Sequence, residues 1–534
     1  MSLELDLADI QGNILTAYGK LGFPKGRNLV FNVRRPEAGR AFIEKVRPLV
    51  TSALRWPSHG KGAPTGRVEV ERPKVALNVA FTFWGLLALE TPIRTLRGMP
   101  DEFIDGMAAR ARVLGDDFPA DSLSRWDPVW RSEADPLTRV HILVTLNAQA
   151  SADGTPVPEL EAMTQQLVAF CSASDGGLAL LGGHGGAGTE TWQELSALFG
   201  ALPDGTVTPL PTEHFGFVDA IGDPVFEGQL PDGGVKARVE GSGKTDRTGA
   251  WSPLATGEFL LGYPDEAQEI AGAAMPLSFS RNGTFMSYRK LQQNVAAFHT
   301  FIDGAAASFG AVYGVPDPAQ ARTTLLAKLV GRWPDGVPLV RAPTFADWQA
   351  FTAGGPTGVA AKGGLNAFTY AGDPTGGRCP LGAHIRRGNT RDMLDPLGPD
   401  PKTGAQSSAL NNRRRILRRG LPYGPWTPPS AAAPDERGIV MMTVCSSLFR
   451  QFEFVQQQWI NYGLDFNQGG DTCPVIGAHG EGAKFVIPAP PGASHPPFIL
   501  SGLPQFVETR GGAYFFLPSL TALRMIGQGL VDPT

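Results

Sequence analysis

The sequence predicts an α+β fold made of two ferredoxin-like units, antiparallel sheets with peripheral helices. Three observations carry that expectation. Strand-like and helix-like segments follow one another without the strict alternation of a parallel doubly wound sheet. Each half shows the order strand, helix, strand, strand, helix. A chain of 534 residues is also long for a single hydrophobic core, so two units are the natural division.

The first strand is expected at residues 27–33 (RNLVFNV), where apolar and polar residues alternate, and a helix-like stretch follows at 41–54. Further strands are expected at 75–83 (VALNVAFTF) and 139–146 (RVHILVTL), the latter rich in branched residues that suit a pleated surface. A helix at 159–172 would pack on them. The Gly-rich run 176–188 and the Pro-containing stretch 202–211 break the periodicity, placing the boundary near residue 210, with units at 1–210 and 211–534. Downstream, strands are expected at 257–262, 283–288, 438–444 and 512–517, with helices at 293–308 and 318–330. Residues 395–412 and the Pro- and Ala-rich 425–434 read as irregular excursions.

With 42% hydrophobic and 18% charged residues and a net charge of -4, the chain has no basic stripe for nucleic acid. Its 66 Gly and 46 Pro indicate many turns and long loops. Cys171, Cys379, Cys445 and Cys473 form no CxxC pair, so neither a zinc site nor a disulfide framework is indicated, and a reducing cytoplasm fits best. The acidic start MSLELDLADIQGNIL is unlike an export signal, and no apolar run approaches the ~20 residues of a membrane span. The expected location is cytoplasmic, without a membrane partner.

None of the eight histidines lies in an HExxH or CxxCH spacing. His384 stands out for its company: CPLGAHIRRGNTRD sets it after a Pro and Gly break and just before Arg386, Arg387 and Arg391. A neutral imidazole suits haem iron, and guanidinium groups suit haem propionates. On spacing alone, a surface basic loop is the commoner explanation. Asp219 lies in HFGFVDAIGDP, where Gly216, Gly222 and Pro224 imply a tight path and Phe215 and Phe217 imply burial. A carboxylate held on such a loop can carry a proton, although turn-capping Asp residues are far commoner. In NNRRRILRRGLPYG the apolar pair Ile416 and Leu417 suggests a strand, which would turn Arg418 and Arg419 to opposite sides.

Together these segments resemble the dye-decolourising peroxidase family, across most of the chain. The landmarks are DIQGNIL (9–15), GFVDAIGDP (216–224), GEFLLGYPDE (257–266), SYRKLQQNVAAF (287–298), GAHIRRGNTRD (382–392), RRILRRGLPYG (414–424) and FEFVQQQWIN (452–461). The resemblance implies two ferredoxin-like domains enclosing a non-covalent haem b. It implies His384 as the axial iron ligand, Asp219 as the acid of a GxxDG motif, and Arg418 as its arginine partner. Ala220 stands where that motif has its second Gly, and Ala cannot adopt every conformation open to Gly. The family's carboxylate partner of the axial histidine falls on Asp471, which a turn beside Gly469 and Gly470 would explain equally well. Arg391 and Arg386 are implied propionate partners. Phe285, Leu417, Phe516 and Leu517 are implied pocket walls that core packing explains as well.

The implied activity is reduction of hydrogen peroxide through a ferryl intermediate, with oxidation of dyes, phenols or other organic donors. Asp219 would move the proton and Arg418 would stabilise charge. Because an unperturbed Asp ionises near ~3.9 and a His near ~6.5, an aspartate base predicts an acidic optimum. Trp459 and Tyr423 lie near the matched motifs, but burial explains them better than a surface oxidation site. Two alternatives compete: a haem-binding or haem-handling protein with incidental peroxidase activity, and a non-haem metal hydrolase built from scattered Asp and His.

Overall fold

The computed structural model describes residues 3–56, 71–117, 121–131, 135–202, 204–219, 221–271, 274–361, 364–426 and 436–531. The N-terminal half runs β1 (Lys25–Val33), α1 (Pro36–Val46), β2 (Val75–Phe81), β3 (Ile142–Ala148), α2 (Pro158–Ser172), β4 (Leu178–Leu181) and β5 (Gln193–Ser196). Strand order β2-β3-β1-β4, antiparallel throughout, is the ferredoxin-like arrangement, with β5 added along β1. Helix α1 buries Gly39, Phe42, Ile43 and Val46, an i, i+3, i+4, i+7 stripe that lies on the sheet.

The C-terminal half repeats the pattern with β6 (Thr284–Gln293), α3 (Val295–Tyr313), α4 (Pro318–Val330), the short helix α5 (His384–Gly388), β7 (Leu417–Tyr423), β8 (Gly438–Cys445), two π-helical turns (Leu448–Glu453 and Val455–Ile460) and β9 (Val507–Leu517). Its order is β7-β8-β6-β9. The halves meet edge to edge through one pairing, Phe516 with Phe81, so a single sheet runs across the molecule. The C-terminal helix α6 (Leu520–Gln528), capped by the Ser519 side chain, packs back on α1. Gln11 closes that corner by hydrogen bonding Val79 and the Pro518 carbonyl.

Ion pairs also join the halves. Arg289 on β6 makes a bidentate pair with Asp116, and Lys290 pairs with Asp127 at 2.6 Å. Beside them β9 carries a bulge, where Gly511 takes φ +141 and a Cβ would collide with Trp130.

Three segments depart from expectation. The helix expected at 41–54 begins earlier and ends earlier, running Pro36–Val46 with a 3-10 turn to Leu49. Residues 178–181 form β4 inside the Gly-rich run, because backbone pairing with β1 supplies what side-chain periodicity does not show. Residues 257–262 are not a strand: Phe259, Leu260 and Leu261 are fully buried, but their amides close local turns at Thr256 and bond Gly283. The apolar run reflected depth in the core rather than a ladder. The Pro- and Ala-rich stretch falls mostly outside the described residues. Helix α3 is long and apolar enough by length and composition to cross a membrane; Phe298, Ile302 and Phe309 on it are buried in a core cluster shared with Leu325 of α4 and Phe506.

Candidate active site

The C-terminal sheet and the helices around residues 330–390 and 455–476 enclose a hollow. Two cavities of about 180 and 230 Å³ share His384, Ile385, Arg332, Arg418, Met441 and Ile476 as walls. A third of about 320 Å³ meets them at Met441 and Ile476, and a fourth of about 440 Å³ reaches Asp219 and Arg418 from the N-terminal half. The two central cavities together fall within the ~300–1,000 Å³ of organic-ligand sites.

Asp219 is held by its loop. The buried Glu213 carboxylate accepts hydrogen bonds from the amides of Phe215 (2.8 Å) and Phe217 (2.9 Å) and from the Gln293 side chain. Gly216 and Gly222 supply the left-handed backbone at φ +95 and +89, and the Asp219 amide bonds the Pro211 carbonyl at 2.9 Å. Ala220 lies outside the described residues.

Burial lifts the Glu213 carboxyl from 4.5 to about 7, against the hydrogen bonds that lower it. The folded chain therefore keeps this proton where the unfolded chain has lost it, so stability falls as pH rises through that window. We expect the melting temperature of the wild type to fall relative to that of Glu213→Gln between pH 5 and 8. Glu258, lifted to about 7, and Asp127, lifted to about 6, mainly by burial, contribute with the same sign in both proteins, and His141, His184, His214 and His299, lowered to about 4 by burial, with the opposite sign. Parallel melting curves for the two proteins would count against this.

Arg418 is on β7, an edge strand, where Pro422 is tolerated because the missing amide faces away from the ladder. Its Nη1 donates to Asp219 Oδ1 at 2.9 Å and its Nη2 to the Ile221 carbonyl at 3.1 Å. Burial would lower the Arg418 pKa, but the Asp219 and Asp223 carboxylates hold it above its ordinary value. Arg419 turns the other way, to Asp223 and the Asn13 and Ile14 carbonyls.

His384 opens α5 and faces both central cavities, with Nδ1 3.3 Å from Cys473 Sγ. Three further arginines, Arg332, Arg391 and Arg415, line the hollow and are buried. They donate to carbonyl oxygens and to Asn366, and among the described residues none is in salt-bridge contact with a carboxylate. Burial lowers their pKa values, to about 9, 10 and 9 respectively. Buried cations without a carboxylate in contact ask for an anionic ligand. A flat apolar group carrying carboxylates fits: Phe368, Ile385, Met441 and Ile476 offer its walls, the arginines its charge partners, and His384 an iron donor.

Several expectations are corrected. Arg386 is fully buried away from the hollow; it pairs with Asp373 at 2.9 Å, bonds the Cys379 carbonyl and stacks on Tyr370. On a one-turn helix beginning at His384 its side chain points into the packed interior. Asp373→Ala would strand this cation, and we expect a loss of about 3–5 kcal/mol, read by denaturant unfolding. Asp471 does not reach His384: its carboxylate lies 3.9 Å from Lys484, and Cys473 takes the place behind the imidazole. Phe516, Leu517, Phe285 and Leu417 belong to the core that joins the halves. Phe285 shares a strand face with Leu291, which does line the hollow, but six residues, about 20 Å, separate them. Arg332, Arg415, Met441, Ile476 and Cys473 were not anticipated; isolated residues in separate segments carry no local pattern. Trp459 and Tyr423 are buried, as expected.

Residues 9–171 match the model of the DyP dimeric alpha+beta barrel domain. Peroxidase 2 of Mycetinis scorodonius is 27% identical over 98% of this chain and 88% of its own length. The dye-decolourising peroxidase AauDyP1 of Auricularia auricula-judae is 28% identical over 97% and 86%. Over nearly its whole length the chain is similar to dye-decolourising peroxidases. A solved dye-decolourising peroxidase in complex with 2,6-dimethoxyphenol superposes with a TM-score of 0.70 at 25% identity, covering 98% of this chain and 100% of that one. In this chain a thiol, Cys473, lies beside the histidine that the motif marks as the iron ligand.

Proposed function

We propose that this chain binds one non-covalent haem b through His384 and acts as a peroxidase, reducing hydrogen peroxide while oxidising dyes, phenols or other organic donors. The observation that carries the reading is the hollow where His384, Asp219 and Arg418 meet, ringed by buried arginines without carboxylate partners. Arg391, Arg332 and Arg415 would pair with the haem propionates. When bound, haem supplies the redox iron that takes up the oxidising equivalents of peroxide.

The chain's own residues do the rest. Asp219 takes a proton from one peroxide oxygen and delivers it to the other, so that water can leave. Arg418 holds the Asp219 carboxylate by a 2.9 Å hydrogen bond and stabilises the negative charge that grows as the O–O bond breaks. Ile385, Ile476 and Met441 keep bulk water from the reacting oxygens.

The division near residue 210 belongs to the same reading, with one ferredoxin-like unit on either side. Four buried, unpaired cysteines favour a reducing, cytoplasmic setting.

The test is reconstitution with haemin followed by peroxide and 2,6-dimethoxyphenol. A Soret band with saturable donor oxidation is expected. Bleaching without turnover would favour a haem-handling protein. Absence of the band would return attention to a non-haem centre, although among the described residues no three His, Cys, Asp or Glu are grouped to hold a metal.

A further inference from the structure

We propose that Cys473 is the positioning residue of the axial histidine, setting both the orientation of the His384 ring and how strongly it donates to iron. The inference rests on the reading of His384 as the iron ligand and adds to it the group that tunes that ligand.

A metal-bound histidine generally gives its second ring N–H to a carboxylate, a carbonyl or water, which fixes the tautomer and raises ligand basicity. Here the group 3.3 Å from His384 Nδ1 is the Cys473 sulfur. Cys473 is fully buried, and its backbone is pinned on both sides. Its amide bonds the Ile460 carbonyl at 2.6 Å, and its carbonyl accepts from the Gly477 amide at 3.0 Å and faces His479 Nε2 at 2.8 Å. The sulfur therefore has little room to swing away. Asp471, two residues earlier, is turned to Lys484. With Nδ1 engaged by sulfur, Nε2 is the nitrogen left for the cavity.

Sulfur is a weaker hydrogen-bond acceptor than a carboxylate. It draws less on the Nδ1 proton, so the imidazole gains less imidazolate character and stabilises ferric iron less. The fold thus gives the ring a fixed, buried partner while leaving the iron easier to reduce than a carboxylate partner would.

The experiment uses the full chain reconstituted with haemin, as wild type and as Cys473→Asp, Cys473→Ala and Cys473→Ser. The readouts are the Fe(III)/Fe(II) midpoint potential and the iron–histidine stretch in the ferrous resonance Raman spectrum. Cys473→Asp should shift the equilibrium about tenfold towards ferric iron, which is about 59 mV for one electron, and raise the stretching frequency. Cys473→Ala should move both the opposite way, and Cys473→Ser, which keeps a small acceptor, should stay near wild type. Circular dichroism identifies any variant that fails to fold, and the remaining pair still orders the series. Potentials and stretches that coincide across the folded variants would overturn the proposal. A wild-type protein whose Soret band does not depend on His384 would instead overturn the ligand assignment beneath it, and the two failures are told apart by the His384→Ala spectrum.

Discussion

Replacing His384 with alanine is expected to remove the histidine-ligated haem spectrum and reduce peroxide turnover to that of free haemin. Of the groups lining the hollow, the His384 imidazole stands in both central cavities and opens a short helix there. Loss of a direct ligand should exceed the ~10–100-fold effects typical of groups one shell further out. The arginines that would hold the propionates remain in the variant, so haemin can still associate. For that reason the decisive readout is the Soret position and the iron–histidine stretch, not the amount of haem retained. Adding imidazole should restore part of the spectrum by occupying the space left by the side chain. Wild-type coordination and turnover in the variant would remove His384 from the site.

Asp219→Asn should slow the reaction with peroxide by about 10²–10⁴-fold, the range for a positioned acid–base group. The substitution keeps shape and can keep the contact to Arg418, now 2.9 Å long, but removes the proton-accepting charge. Haem binding should be unchanged, because Asp219 stands apart from the arginines without a carboxylate in contact. Stopped-flow mixing with peroxide separates the two effects. Equal rates in wild type and variant would dismiss Asp219 as the proton carrier.

Elements with a strong local signature were legible before any coordinates. The alternating 27–33 run is the core of Lys25–Val33, and the expected helices at 159–172 and 318–330 match Pro158–Ser172 and Pro318–Val330 within a residue. Arg418 and Arg419 do project to opposite faces, because a strand has a side-chain period of two. The four-residue strand Leu178–Leu181 was hidden, since pairing with Lys25–Val33 creates it and nothing in its composition announces it. Arg386 misled for a related reason: sequence shows a cation near His384 but not whether it faces the hollow or Asp373.

By itself, the sequence carried the resemblance to dye-decolourising peroxidases, the α+β architecture of antiparallel sheets and the motifs that single out His384, Asp219 and Arg418, because side-chain periodicity and short motifs are local properties of the chain. Only the tertiary structure decided which arginines lie buried without carboxylates, that Phe516 and Leu517 are core rather than cavity wall, and that sulfur rather than Asp471 backs the imidazole. Those outcomes depend on distances between residues tens to hundreds of positions apart, set by how two sheets and their helices close over one hollow, and no local pattern encodes them.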